Sequence, residues 1–291
     1  MTDHAANEMR SGDVDVVVPV YKERPEAVQA TLAALLAQTH PASKIFVIDD
    51  CSPTPVVLPE EFQNHERVCL IRLEKNGGIS AARNFGIGKC TAPFLACVNC
   101  EVLLAKDWIE ACVKYLASDI QFGVAYTRMV PYRPESLLSR WRMRFQEPSF
   151  PDVSGPAPFA PGHAMMFRRE AIERVGGFDV RMRCDEDSDI CIRIGRAGWQ
   201  THFVADSQCV SIQRDTLTQL ARKELTRSDW ESPEDYFIGR FILFRIKWTL
   251  VRMARNFAKL RFHFLPVDFA VFLASIRLAI SRSLQARKQK K

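Results

Sequence analysis

The common phosphate-binding fingerprints are missing from this sequence. Neither a G-x-x-x-x-G-K-[ST] loop nor a G-x-G-x-x-G run occurs in it, which disfavours a P-loop ATPase and a dehydrogenase. No secretory leader is expected either: Met1 to Gly12 carries acids and no apolar core, and residues 1–12 read as a disordered tail. The nine cysteines are odd in number and scattered, so neither a zinc site nor a disulfide framework is expected, and a reducing, cytoplasmic location is. Long apolar runs are scarce near the C-terminus, where the longest uncharged stretch, Phe269 to Ile276, falls far short of the ~20 residues a bilayer span needs. Acids are scarce there too. From Tyr236 onward thirteen Lys or Arg face one acid, Asp268, so this tail carries +12 and the remainder −6 of the net +6. An acidic body with a basic tail implies that the tail meets an anionic surface.

What is present is a globular composition, 47% apolar and 25% charged over 291 residues, enough for one compact body plus an appendage. Val14 to Val20 (VDVVVPV) reads as a buried parallel strand that stops at Tyr21. Glu26 to Gln38 has helical spacing, and Lys44 to Ile48 is a second strand running into Asp49-Asp50-Cys51-Ser52. Ligands of open parallel sheets bind at this carboxyl edge. A third strand, Val68 to Leu73, leads to Asn76-Gly77-Gly78 and a helix carrying Arg83; glycines there admit a phosphate, and Arg83 could pair with it. A fourth strand, Phe94 to Val98, ends at Asn99-Cys100-Glu101. Asp50, Arg83 and Glu101 would then meet at one crevice.

Arg183 to Trp199 is the most informative stretch. Asp185, Glu186, Asp187 and Asp189 place four acids in five residues at the start of a short helix. One or two would satisfy its free N–H groups, at about 0.3–1 kcal/mol each. Crowded carboxylates repel, and one of them can then be held with the raised pKa that a general base needs.

With these motifs in this order the chain resembles glycosyltransferase family 2, the inverting nucleotide-sugar transferases of the GT-A fold. The resemblance covers about Val14 to Ile212 and rests on VVVPVY, VIDDCS, NGGISAARNFGI, VNCE, GHAMMFRREAIERVGGFD and EDSDICIRIGRAGW taken together. It implies an α/β fold: a Rossmann-like mixed sheet flanked by helices, with a nucleotide-sugar-binding half over residues 13–101 and an acceptor-binding, catalytic half over 102–212. It implies that Asp50 reads the nucleotide base, that Pro19 and Tyr21 form the edge the base rests on, and that Asn76, Gly78, Arg83 and Asn99 serve the donor. Asp187 is then the general base and Glu186 its neighbour, with Gly177 and Phe178 on the path between donor and acceptor. Two positions depart from the family. Asn99-Cys100-Glu101 stands where a D-x-D element is expected, leaving Glu101 as the ligand for Mg²⁺ or Mn²⁺, and Ser211 stands where a metal-binding His is frequent. Three readings follow: a cation held mainly through the donor's diphosphate, a slow enzyme, or a catalytically silent sugar-nucleotide binder or assembly partner.

Pro131 to Pro161 has no clear period, and the resemblance assigns this half to the acceptor, with Trp141 and Arg144 as contacts; simple packing is the other reading of Trp141. His163 reads as structural. Residues 213–291 read as a basic amphipathic helical tail. In it Ile242, Ile246, Leu250, Met253, Phe257 and Leu260 draw one apolar stripe, with Arg245, Arg252, Arg255 and Lys259 on another face, and a second such piece spans Val267 to Leu284. Such helices suit the interface of an anionic membrane; packing on the body is the alternative, and nucleic acid is not expected. The expectation is therefore a peripheral enzyme at the inner, cytoplasmic face of the membrane. It would move a sugar from a nucleotide-diphosphate donor to a hydroxyl of a lipid-linked or envelope-polysaccharide acceptor.

Overall fold

The computed structural model describes the backbone of residues 14–144, 149–182, 184–213, 216–229 and 238–289, and their side chains except at 224–229, 238–245 and 282–289. The expected tail over residues 1–12, and the side chains of Ile242 and Arg245, lie outside the described residues. The chain divides into two compact units, one of residues 1–132 with 146–213 and one of residues 133–145 with 214–291.

The first unit opens with β1 (Val14–Val20), α1 (Pro25–Leu36), β2 (Lys44–Asp49), α2 (Glu60–Gln63), β3 (Val68–Arg72), α3 (Ile79–Ile87) and β4 (Phe94–Val98). β1 lies parallel between β2 and β4 and is buried throughout, the environment that its valine-rich run fits. Pro25 starts α1 at a position whose N–H has no helical partner, and Val28, Leu32 and Leu35 bury one side of the helix. α3 crosses β1 so closely that a Cβ on Gly86 would lie 2.4 Å from a methyl of Val17.

β5 (Val102–Leu104), α4 (Trp108–Ser118) and β6 (Phe122–Pro131) follow. The chain then leaves for α5 (Leu137–Met143), part of the second unit. It returns through β7 (Gly155–Ala157), β8 (Ala164–Arg168), α6 (Arg169–Arg174), α7 (Glu186–Arg196) and the twelve-residue β9 (Gln200–Ser211). The sheet order is β3-β2-β1-β4-β8-β6-β9-β5, with β7 on β9. The first four strands are parallel, β8 runs antiparallel to both β4 and β6, and β5 runs antiparallel to β9. This is the mixed, helix-flanked sheet expected. All nine cysteines are free thiols. Cys97 and Cys100 do share a C-x-x-C spacing, but burial pushes both thiols up to about 12, which removes the thiolate that redox or zinc chemistry would need.

The second unit joins α5 to α8 (Leu217–Asp229), α9 (Ile238–Ala258) and α10 (Leu265–Gln289). Trp141, Leu220, Phe264, Val267 and Val271 form its core. Within that core Asp268, fully buried, accepts hydrogen bonds from Trp141 Nε1 (3.0 Å), Arg144 Nη2 and Asn256 Nδ2. Trp141 and Arg144 were expected to touch the acceptor; both are instead buried, with polar atoms engaged on Asp268 and the guanidinium 4.5 Å from the indole ring. The buried face of α9 carries Thr249, Arg252 and Asn256, whereas Leu250 and Phe257 are 60% and 64% exposed. One expectation about length is corrected as well. Phe262–Ser281 is 20 residues of mean hydropathy 1.7, long and apolar enough to cross a membrane by length and composition, because Asp268 and Arg277 break the uncharged run without lowering its mean much.

Candidate active site

Between β1 and β4 the strand order reverses: the connection through α1 leads to β2 on one side of β1, and the connection through α3 leads to β4 on the other. Ligands of open α/β sheets bind outside the carboxyl ends of the strands at such a point. Tyr21 stands half-exposed there after β1, next to Pro19 buried within the strand. Lys22, left-handed at φ 59°, has Nζ 4.8 Å from the Tyr21 ring centroid, and its N–H bonds Ser52 Oγ. Asp49 anchors the β2 turn. Burial by itself would raise its pKa, but hydrogen bonds from Ser52, Val56 and Arg72 outweigh that and hold the carboxyl below its ordinary value.

Asp50 sits at the expected strand end, and its carboxylate shapes the neighbouring loop. Its oxygens accept from Gly77 N, Gly78 N and Asn76 Nδ2, each at 2.8 Å. Asn76 and Gly78 thus owe their positions to Asp50, and Gly78 takes φ +84°, a conformation that a side chain would strain.

Arg83 departs from its expected role. Rather than facing a phosphate it is completely buried, with Nη1 on Glu186 Oε1 (3.0 Å) and Nη2 on Asn99 Oδ1 (2.9 Å) and Gly162 O (2.7 Å). A guanidinium sealed from water needs such acceptors, and these come from the ends of β4 and α7 and the approach to β8. Arg83 therefore draws the donor-side and base-side loops together. Asn99, expected at the donor, has its side-chain oxygen engaged in the same knot.

Asp187 lies in the first turn of α7 beside Glu186. Gly162 N donates to its Oδ2 (2.6 Å) and Ser188 N to its Oδ1 (2.8 Å). Burial first and the Glu186 charge second raise its pKa; the two backbone bonds and Arg83 oppose them without reversing the direction. Gly162 approaches so closely that a Cβ there would stand 3.0 Å from the Asp187 carboxyl.

Gly177 and Phe178 close the wall next to this knot. Asn84 grips Phe178 reciprocally, donating to its carbonyl (2.7 Å) and accepting from its N–H (2.8 Å), while Arg193 bonds the carbonyls of Val175 and Gly177. Phe178 is buried, with Arg83 Cζ 4.9 Å from its ring, so its ring is a floor under Arg83 and not a surface for an acceptor. Arg24, Asn84, Gly162 and Arg193 did not stand out in the sequence. Asn84, Gly162 and Arg193 at least lie inside the motifs that carry the resemblance, whereas Arg24 lies 77 residues from its partner Glu101 and carries no local signal.

Glu101, the expected metal ligand, is held by Arg24: Nη2 lies 2.8 Å from Oε1. Its backbone adopts φ +68°, and its carbonyl accepts from Ile212 N, which brings the end of β9 and Ser211 alongside. Among the described residues no group of three His, Cys, Asp or Glu side chains could hold a metal ion. A doubly charged ion on the Glu101 carboxylate would also sit against the guanidinium, a repulsion of several kcal/mol at an effective dielectric of about 20. With Arg24 in this position, the described side chains at this loop do not by themselves make a divalent-cation site.

Two family models match the chain: "Glycosyl transferase family 2" over residues 15–176 and "Glycosyl transferase family group 2" over residues 97–285. A pre-mycofactocin glycosyltransferase of Mycobacterium tuberculosis is 24% identical over 233 residues, covering 78% of this chain and 46% of that protein. The UDP-forming cellulose synthase catalytic subunit of Komagataeibacter sucrofermentans is 22% identical, covering 70% of this chain and 29% of that protein. The chain thus spans less than half the length of these relatives. Among solved structures, a mannosyltransferase from Pyrobaculum calidifontis in complex with GDP-Man and Mn²⁺ superposes with TM-score 0.56 at 19% identity, over 95% of this chain and 76% of that one.

Proposed function

This chain belongs to glycosyl transferase family 2, and from that premise we propose that it is an inverting transferase that moves a sugar from a nucleoside-diphosphate donor to an acceptor hydroxyl. The observation that carries the reading is Asp187: a buried carboxyl of raised pKa, aimed by two backbone N–H groups and tied through Glu186, Arg83 and Asn99 to the carboxyl end of β4. As the acceptor oxygen bonds the anomeric carbon, Asp187 takes its proton. The bond from that carbon to the phosphoryl oxygen breaks, and the electron pair leaves with the diphosphate. Donor chemistry is supported by relatives and neighbours whose names include UDP-forming and GDP-Man.

The acceptor we propose is lipid-linked or an envelope polysaccharide, met at the inner face of an anionic membrane. What supports this is the polarity of α9, with Arg252 and Asn256 inside and Leu250 and Phe257 outside, and exposed Arg255 and Lys259 beside them. The transfer reading is tested with Asp187→Asn, assayed for release of nucleoside diphosphate from UDP-, GDP-, dTDP- and CDP-sugars. Release should fall at least 100-fold, the usual scale of a lost general base, with nucleotide affinity within about threefold of wild type. An Asn variant that turns over normally would sink the assignment, and a wild-type protein that binds donor without releasing product would point to the silent binder.

A further inference from the structure

Resting on the donor reading above, we propose that Arg24 supplies the positive charge that receives the donor's diphosphate, in the place where the fold's relatives are expected to use a divalent cation, and that Glu101 is its positioning residue.

Three observations carry this. Arg24 follows β1 and Glu101 follows β4, so their ion pair spans the point where the strand order reverses, the place where a ligand of this sheet binds. The Arg24 guanidinium makes one hydrogen bond among the described residues, Nη2 to Glu101, out of five possible donors, and 35% of its side chain is open to solvent. It can therefore present a planar pair of N–H groups to a phosphate without releasing Glu101, the geometry in which guanidinium recognition of phosphate is strongest. Finally, the side chains a cation would draw on are already paired: Asn99 through Oδ1 with Arg83, and Glu101 through one of its two carboxylate oxygens, Oε1, with Arg24. Of the other guanidiniums at this edge, Arg83 is sealed inside, and Arg72 at the end of β3 is engaged on Asp49 and the Ser52 carbonyl.

Glu101 shows the marks of a residue placed on purpose. It holds a left-handed backbone, a conformation that persists only where its surroundings over-determine it, and the Ile212 N–H on its carbonyl supplies that constraint. Its carboxylate then fixes where Arg24 points.

The test is calorimetric binding of UDP, GDP, dTDP and CDP to the full chain, in EDTA and in Mn²⁺. The wild type should bind its preferred nucleotide with affinities within twofold in the two conditions. Arg24→Gln should weaken binding at least tenfold in EDTA, with Arg24→Lys intermediate, and Glu101→Gln should cost only a few-fold, while all three keep the wild-type circular dichroism spectrum. Binding that requires Mn²⁺ in the wild type, or an Arg24→Gln variant that binds as well as wild type, overturns the proposal and leaves the transferase reading standing. Failure of all four nucleotides in both conditions overturns both.

Discussion

Glu186 performs two electrostatic tasks that pull in opposite directions on its neighbours. It neutralises the sealed Arg83 guanidinium, and it raises the pKa of Asp187 after burial has already done so. Because the base must be ionised to work, activity should fall as pH drops through the raised Asp187 value. The sign for stability is the reverse: an acid whose folded pKa is raised contributes stability that is full below its unfolded pKa and is lost as pH rises through the folded one. Glu186→Gln removes the neighbouring charge, so the Asp187 titration, read by carbon NMR of labelled carboxyl groups, and the acid limb of donor hydrolysis should both move to lower pH. A limb that stays put would mean that burial alone sets this base. At this scale the sequence was legible in part. The acid cluster announced a perturbed carboxyl, and its place at a helix start follows from pattern. Whether Arg83 faces a phosphate or the interior cannot be read from spacing, since the deciding partner, Glu186, lies 103 residues away.

Elements were legible where one physical demand dominates. β1 and β4 are buried throughout and apolar but for Asp15, and their observed ends, Val14–Val20 and Phe94–Val98, match the sequence reading. β9 has no such signal, because Gln200–Ser211 mixes exposed and buried polar residues without a clean alternation. α9 is the informative failure of period. Its apolar stripe is real, but a stripe does not say which face points inward, and here the inward face holds Thr249, Arg252 and Asn256. Asp268 on α10 helps explain that inversion, since it accepts from Asn256 on α9 as well as from Trp141 and Arg144. Asp268→Ala removes the carboxylate that a buried guanidinium and an indole N–H share, and should cost about 3–5 kcal/mol of the unit's stability in denaturant unfolding. Asp268→Asn should cost less, because it keeps an acceptor oxygen; equal losses for the two would show that packing volume, not pairing, is what matters there.

For the whole molecule, charge and polarity are divided between the units. The residues from Tyr236 onward carry +12 against −6 for the rest, and the helical unit turns apolar side chains outward. Each basic residue near an anionic bilayer contributes about 1 kcal/mol, to which inserted apolar area adds. Replacing the exposed Leu250 and Phe257 together by Glu should cut co-flotation with phosphatidylglycerol vesicles at least tenfold, while leaving Asp268 and its partners in place. Flotation unchanged by that pair would remove the membrane from the account.

The helical unit is also discontinuous in the chain: Trp141 waits for an acceptor, Asp268, that is made 127 residues later. At ribosomal speeds of about 5–20 residues per second that gap lasts roughly 6–25 s. During it α5 has been synthesised, while the carboxylate that joins the indole and the Arg144 guanidinium to α10 does not yet exist. A message cut short between the end of α8 and codon 268 would never supply that carboxylate, so its product should be loosened at α5, about 90 residues or more upstream of the cut, and proteases should find it there.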